Sequence, residues 1–226
     1  MTNTSDMLHD EDDTPRRVPP ITEMTLADIP PRVGLFPLSG ALLMPEGRLP
    51  LVVFEPRYVS LVEDALADRR LIGMIQPLDE NDPSPEPELH RIGTLGRISD
   101  FSEHADGTFS ITLLGICRFR LLREAATDRS WRQGLIDASP FAGDMVEDDP
   151  LPVTRKALLD GLKRYLAARQ LKTTWSVIEE MDDDMLLVVL PMLVPFSADE
   201  KQTLLEAITL DERAGVLLEL LERGME

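Results

Sequence analysis

The chain is poor in cysteine, lysine and aromatic residues, and each shortage narrows what it does. One cysteine, Cys117, in 226 residues excludes an internal disulfide. Four lysines and 19 arginines face 41 acids, for a net charge of −18, which repels polyanions such as nucleic acid and anionic membrane surfaces at long range. No charged start followed by an apolar run marks a signal peptide. The longest apolar run, Met185 to Val194, spans ten residues with Pro191 inside it, far short of the roughly 20 needed to cross a bilayer. These absences make the cytoplasm the expected location and leave no membrane role. No G-x-x-x-x-G-K-[ST] loop is present to cradle nucleotide phosphates.

What is present is a globular balance of 43% hydrophobic and 28% charged residues, arranged in three textures. Residues 1–30 hold seven acids and four prolines with few large apolar groups, so a disordered acidic tail is expected, with local docking near Ile21 to Ile29. From Val33 short apolar runs, Val33 to Leu38 and Leu49 to Phe54, read as strands, and Pro56 opens a helix carrying Tyr58, Leu61, Val62 and Ala65 on one face. Leu71 to Gln76 is the next expected strand. Leu78 to His90, rich in proline and acid, reads as an exposed loop.

Asp106-Gly107 is a hairpin signal between Ile98 to Phe101 and Phe109 to Leu114, because both residue types tolerate positive φ. The pattern resumes after Gly115 with Phe119 and Leu121 alternating against Arg118 and Arg120, and Trp131 to Ala138 supplies a last strand. Beyond the Pro- and acid-rich stretch from Pro140 to Pro152 the period becomes helical. Leu158, Leu162, Tyr165 and Leu166 form a stripe, Trp175 and Ile178 begin a short helix, and Met185 to Leu190 form another. Ser197 with Glu200, and Thr209 with Glu212, stand at capping-box spacing before the last two helices. The expected architecture is α+β: a β-barrel domain with one helix over residues 31–143, then an antiparallel helical bundle over 150–226.

No catalytic, cofactor or metal constellation emerges. Cys117 beside Arg118 and Arg120 is the one candidate nucleophile, since neighbouring cations depress a thiol pKa, but a small residue filling a sheet is the simpler role. His9, His90 and His104 lack ligand spacing and read as surface histidines. Asp182-Asp183-Asp184 lacks the glycine and terminal glutamate of a calcium loop and reads as a solvated joint or N-cap. Arg118, Arg120 and Arg123 beside Phe119 suit a nucleic-acid surface, yet from Arg69 to Arg132 nine arginines meet ten acids. Met44 and Met74 suit either a promiscuous apolar groove or ordinary core.

Leu35-Phe-Pro-Leu38, Met44-Pro45, Leu49-Pro-Leu51, Phe54-Glu-Pro-Arg-Tyr58, Ile72-Gly-Met74, Arg91-Ile-Gly-Thr94, Gly115-Ile-Cys-Arg-Phe-Arg120 and Leu193-Val-Pro-Phe-Ser197 occur in an order and spacing that resembles the N-terminal, substrate-binding domain family of Lon proteases. The resemblance implies a barrel of the pseudouridine-synthase-and-archaeosine-transglycosylase (PUA)-like type, without the ATPase and peptidase segments. It also implies a non-enzymatic module that recognises unfolded or tagged proteins or peptides, and hydrophobic burial in a groove between barrel and bundle is the expected mode of binding. An RNA-binding PUA-like module and a regulatory partner of a Lon-type protease are the alternatives. No peptide-binding residue, cofactor or metal is assigned.

Overall fold

The computed structural model describes residues 19–146 and 153–224. Six strands come first: β1 (Arg32–Pro37), β2 (Arg48–Val53), β3 (Leu71–Ile75), β4 (Ile92–Glu103), β5 (Phe109–Ala125) and β6 (Gln133–Asp137), with helix α1 (Pro56–Ala67) between β2 and β3. They form one sheet in the order β2-β5-β4-β3-β1-β6, and β6 returns to pair with β5. The pairings therefore run in a circuit through β5, β4, β3, β1 and β6, with β2 attached to β5 outside it. Only β1 and β3 are parallel. That pairing requires a crossover, which β2 and α1 supply.

The long strand β5 holds the sheet together because it pairs with β2, β4 and β6. Its alternation of buried Phe109, Ile111 and Leu113 with half-buried Ser110 and Thr112 follows from the two-residue period of a strand. The sequence pattern suggests a break at Gly115, but the strand runs on through it. A Cβ there would lie 2.0 Å from the Met44 carbonyl oxygen, so glycine marks a close backbone approach, not an end. Ile116 is the extra residue of a bulge, since Gly96 pairs with Gly115 and Leu95 with Cys117. At the hairpin, Gly107 adopts φ of 80° as the Asp106-Gly107 pair predicts.

Helix α1 starts with Pro56 at its first turn and buries Tyr58, Leu61, Val62 and Ala65, the face read from the sequence. These residues pack on Phe36, Ile72, Ile111 and Leu113 in one core cluster. A second cluster gathers Val33, Leu35, Leu95, Cys117 and Phe119, together with Met24 from the segment before β1. Burying each such leucine or phenylalanine contributes roughly 1.5–3 kcal/mol before the cost of ordering it. Residues 1–18 of the acidic tail lie outside the described residues. Residues 19–30 include two short 3-10 turns, Ile21–Glu23 and Leu26–Asp28.

Five helices follow: α2 (Arg155–Ala168), α3 (Trp175–Glu179), α4 (Asp183–Leu193), α5 (Ala198–Glu206) and α6 (Leu210–Arg223). They share one apolar cluster in which Leu158, Leu162, Tyr165, Leu186, Leu204 and Leu217 are all buried. Both capping boxes form: Ser197 accepts from the Glu200 N–H and Thr209 from the Glu212 N–H. Thr154 caps α2 in the same manner, accepting from the Ala157 N–H at 3.3 Å.

Candidate functional site

Cys117, the one candidate nucleophile, is held in an inert setting. Cys117 is fully buried on β5, and that burial pushes its thiol up to about 12, with the Asp144 carboxylate adding to the rise. Arg118 opposes the shift without overcoming it, so the thiolate needed for nucleophilic attack does not form near neutral pH. Proximity in sequence to two arginines is the wrong guide here. Side chains of adjacent strand residues point to opposite faces.

Of the three histidines, His9 lies outside the described residues. His104 is exposed and its Nε2 meets the Ser110 hydroxyl at 2.8 Å. His90 departs from the surface expectation, being half-buried with Nδ1 3.9 Å from Glu206. Asp182 occupies the N-cap position of α4, while Asp183 accepts from Arg155 at 2.6 Å. Among the described residues, no group of three or more His, Cys, Asp or Glu side chains is gathered in the manner a metal ion requires.

Of the three arginines considered for nucleic acid, Arg118 is withdrawn from the surface. Arg118 is 3% exposed, and its guanidinium reaches Asp144 at 2.7 Å in an ion pair that is itself buried. Asp144 also accepts the Arg118 backbone N–H at 2.8 Å. The remaining guanidinium protons go to carbonyl oxygens at the C-terminal end of α5: Leu205 at 3.0 Å, Ala207, and Ile208 at 3.2 Å. A helix C-terminus carries unsatisfied carbonyls and a partial negative charge, so a buried cation is stable there. Arg118 thus joins sheet to helix and is closed to any ligand. Nothing in the sequence pairs it with Asp144, 26 residues later.

Other arginines are also committed internally, Arg97 to the Pro19 carbonyl, Arg57 to that of Pro85 and Arg132 to that of Pro87. Arg120 and Arg123 stay exposed.

The seam between sheet and helices, expected to be an open groove, is filled. Leu42, Met44, Val188 and Leu205 form its apolar centre. Beside them the Gln76 amide donates to Gln202 at 3.0 Å, Gln202 donates to the Ile92 carbonyl at 3.1 Å, and Lys201 donates to the Gly40 carbonyl at 2.7 Å. Met44 and Met74 are buried, at 0% and 3% exposure, and belong to the core, so neither lines a client groove. Methionine's flexible thioether serves here to fill irregular gaps.

Open surfaces remain elsewhere. A cavity of about 830 Å³ lies between α1, β1 and the β5–β6 connection, where Trp131 donates to Asp64 at 2.9 Å. Its lining mixes Arg32, Arg69 and Arg129 with Asp64, Asp68 and Asp128. A smaller hollow of about 270 Å³ is walled by leucines, isoleucine, valine and proline from α2, α3 and the end of α4. Val52 and Phe54 at the edge strand β2, and Leu193 at the end of α4, are each about two-thirds exposed, at 67%, 68% and 67%. Pro50 in the middle of β2 lacks an N–H, so this edge is blunted against strand addition. Side-chain pockets suit these surfaces better than backbone pairing.

The chain matches the family model described as the ATP-dependent protease La (LON) substrate-binding domain over residues 32–223. It is 27% identical to Lon protease 2 of Myxococcus xanthus over 203 residues, 88% of this chain and 24% of that protein. It is 27% identical to a Lon protease of Anaeromyxobacter dehalogenans over 216 residues, 94% of this chain and 25% of that protein. The chain therefore spans about a quarter of the length of these relatives.

The crystal structure of a Lon N-terminal domain protein from Xanthomonas campestris is 28% identical, with a TM-score of 0.57 over 83% of this chain and 97% of that one. The N-terminal domain of a Mycobacterium avium complex Lon protease, 16% identical, superposes with a TM-score of 0.59 and shares the fold. With a mixed α and β fold of that kind and a family match covering most of its length, the chain belongs to the Lon substrate-binding domain family.

Proposed function

We propose that this protein recognises protein substrates non-covalently, binding unfolded chains through their exposed apolar segments, and that it is not itself an enzyme. The observation that carries this reading is the match to the Lon substrate-binding domain over residues 32–223. Two features support it. The one thiol is buried and held protonated, and exposed apolar side chains at Val52, Phe54 and Leu193 offer contact area that a monomer has no internal use for. The circuit of strand pairings supports reading residues 31–143 as a PUA-like barrel, and the shared helical cluster supports an antiparallel bundle over 150–226. A cytoplasmic location fits the lone cysteine and a chain in which, among the described residues, no helix is long and apolar enough to cross a membrane.

RNA binding, the other use of such a barrel, is disfavoured by the sinking of Arg118 and by the net charge of −18. The test is binding to a permanently unfolded protein, reduced and carboxymethylated α-lactalbumin, against its folded form and against an RNA homopolymer at low salt. Retention of the unfolded form alone is expected. Retention of RNA alone overturns the reading. Capture of a single Lon-type protease from lysate, with no affinity for unfolded chains, would replace recognition by a regulatory role.

A further inference from the structure

We infer that the hollow between α2, α3 and the end of α4 is a client subsite that takes one large apolar side chain lying next to a carboxylate. This rests on the substrate-recognition reading above and gives it a place and a chemistry.

The hollow arises from how three short helices meet. Leu162 and Leu166 of α2 and Ile178 of α3 form its floor, and Leu190 of α4 closes one wall. Pro195 follows α4 without an N–H to continue it. Leu193 therefore stands at the helix end with 67% of its surface exposed, and Leu171, at 40%, lines the same hollow from the segment after α2. Two leucines left in water beside an apolar hollow are a cost to the isolated protein, which is removed when an apolar group covers them.

Size and charge define the occupant. A volume of about 270 Å³ admits one phenylalanine or leucine side chain with its flanking backbone and is too small for a folded surface. Lys172 is the one charged residue in the lining. It is exposed and, among the described residues, makes no ion pair, in a chain whose acids outnumber its bases by 18. The excess of acid over the chain repels most carboxylates at long range, so an exposed ammonium on an apolar rim gives this subsite a local preference for a carboxylate. A side chain seated between Leu171 and Leu193 places its neighbouring residue at the Lys172 rim. A carboxylate there is favoured over an ammonium.

The test uses two fluorescein-labelled, glycine- and serine-based peptides, each with a single phenylalanine followed by either glutamate or lysine. Both are titrated by anisotropy against the full chain, with the unfolded α-lactalbumin above as a general client. The glutamate peptide is expected to bind about threefold more tightly than the lysine peptide, the scale of an exposed ion pair. Lys172→Glu reverses that order. Leu193→Asp, at a position exposed enough to leave folding intact, weakens both peptides about tenfold, whereas Phe101→Asp, at an exposed apolar position on β4 outside the hollow, leaves them unchanged.

Unfolded lactalbumin and peptides bound equally by wild type and Leu193→Asp would overturn the subsite and leave recognition standing. A peptide order unaffected by Lys172→Glu would overturn the carboxylate preference. No binding of lactalbumin or either peptide by the wild-type protein would overturn recognition and subsite together.

Discussion

Cys117 shows how a residue's environment decides its chemistry. An arginine follows it in the chain, yet burial outweighs that cation and pushes the thiol from an ordinary value of 9.0 up to about 12. Because the folded state holds the proton more tightly, Cys117 contributes stability that is fully present below about pH 9 and is lost as pH rises toward about pH 12. Urea titrations at intervals over that range should show the wild-type protein losing stability more steeply than Cys117→Ala, which has no thiol to titrate. Equal slopes would mean that the thiol is not held protonated by the fold. The residue scale also marks a limit of the sequence. Arg118 and Phe119 alternate as a strand predicts, but alternation assigns Arg118 to solvent, whereas the far face of β5 is covered by α5.

At the scale of elements most of the fold was legible. The Asp106-Gly107 hairpin and both capping boxes rest on contacts within a few residues, and the face of α1 shows in the spacing of its apolar residues, which is what capping patterns and periodicity encode. Ser197→Ala should therefore cost about 0.5–2 kcal/mol by chemical denaturation, since it removes the hydroxyl that accepts the Glu200 N–H and leaves α5 with an uncapped start. A cost near zero would mean that packing of Leu204 and Leu205, not the cap, sets where α5 begins. Gly115 was misread as an end because a glycine within a strand has two meanings, a stop or a close approach. The choice lies with Met44, which sits 71 positions earlier in the chain and crosses there.

For the whole molecule, the decisive feature is the seam. Its apolar centre is four buried residues, small beside the clusters it joins, so polar links carry a large share of the attachment. Arg118→Ala leaves Asp144 buried without its partner and should cost about 3–5 kcal/mol. The two tryptophans report the consequence separately, since Trp131 packs on the sheet core and Trp175 on the helical cluster. In wild-type protein their fluorescence transitions in urea should coincide. In Arg118→Ala they should separate, and continued coincidence would show that the apolar centre alone couples the two parts.

The sequence by itself determined which segments are strands and helices, where the helices start, and the family, because these follow from backbone preferences and from the order of short motifs. Tertiary structure alone decided what is buried between those segments: that Arg118 is a joint, that Met44 and Met74 are core, and that Leu171 and Leu193 frame a hollow. The physical reason is that burial is a property of what covers a residue. The groups that cover these residues come from distant parts of the chain, and no local pattern records them.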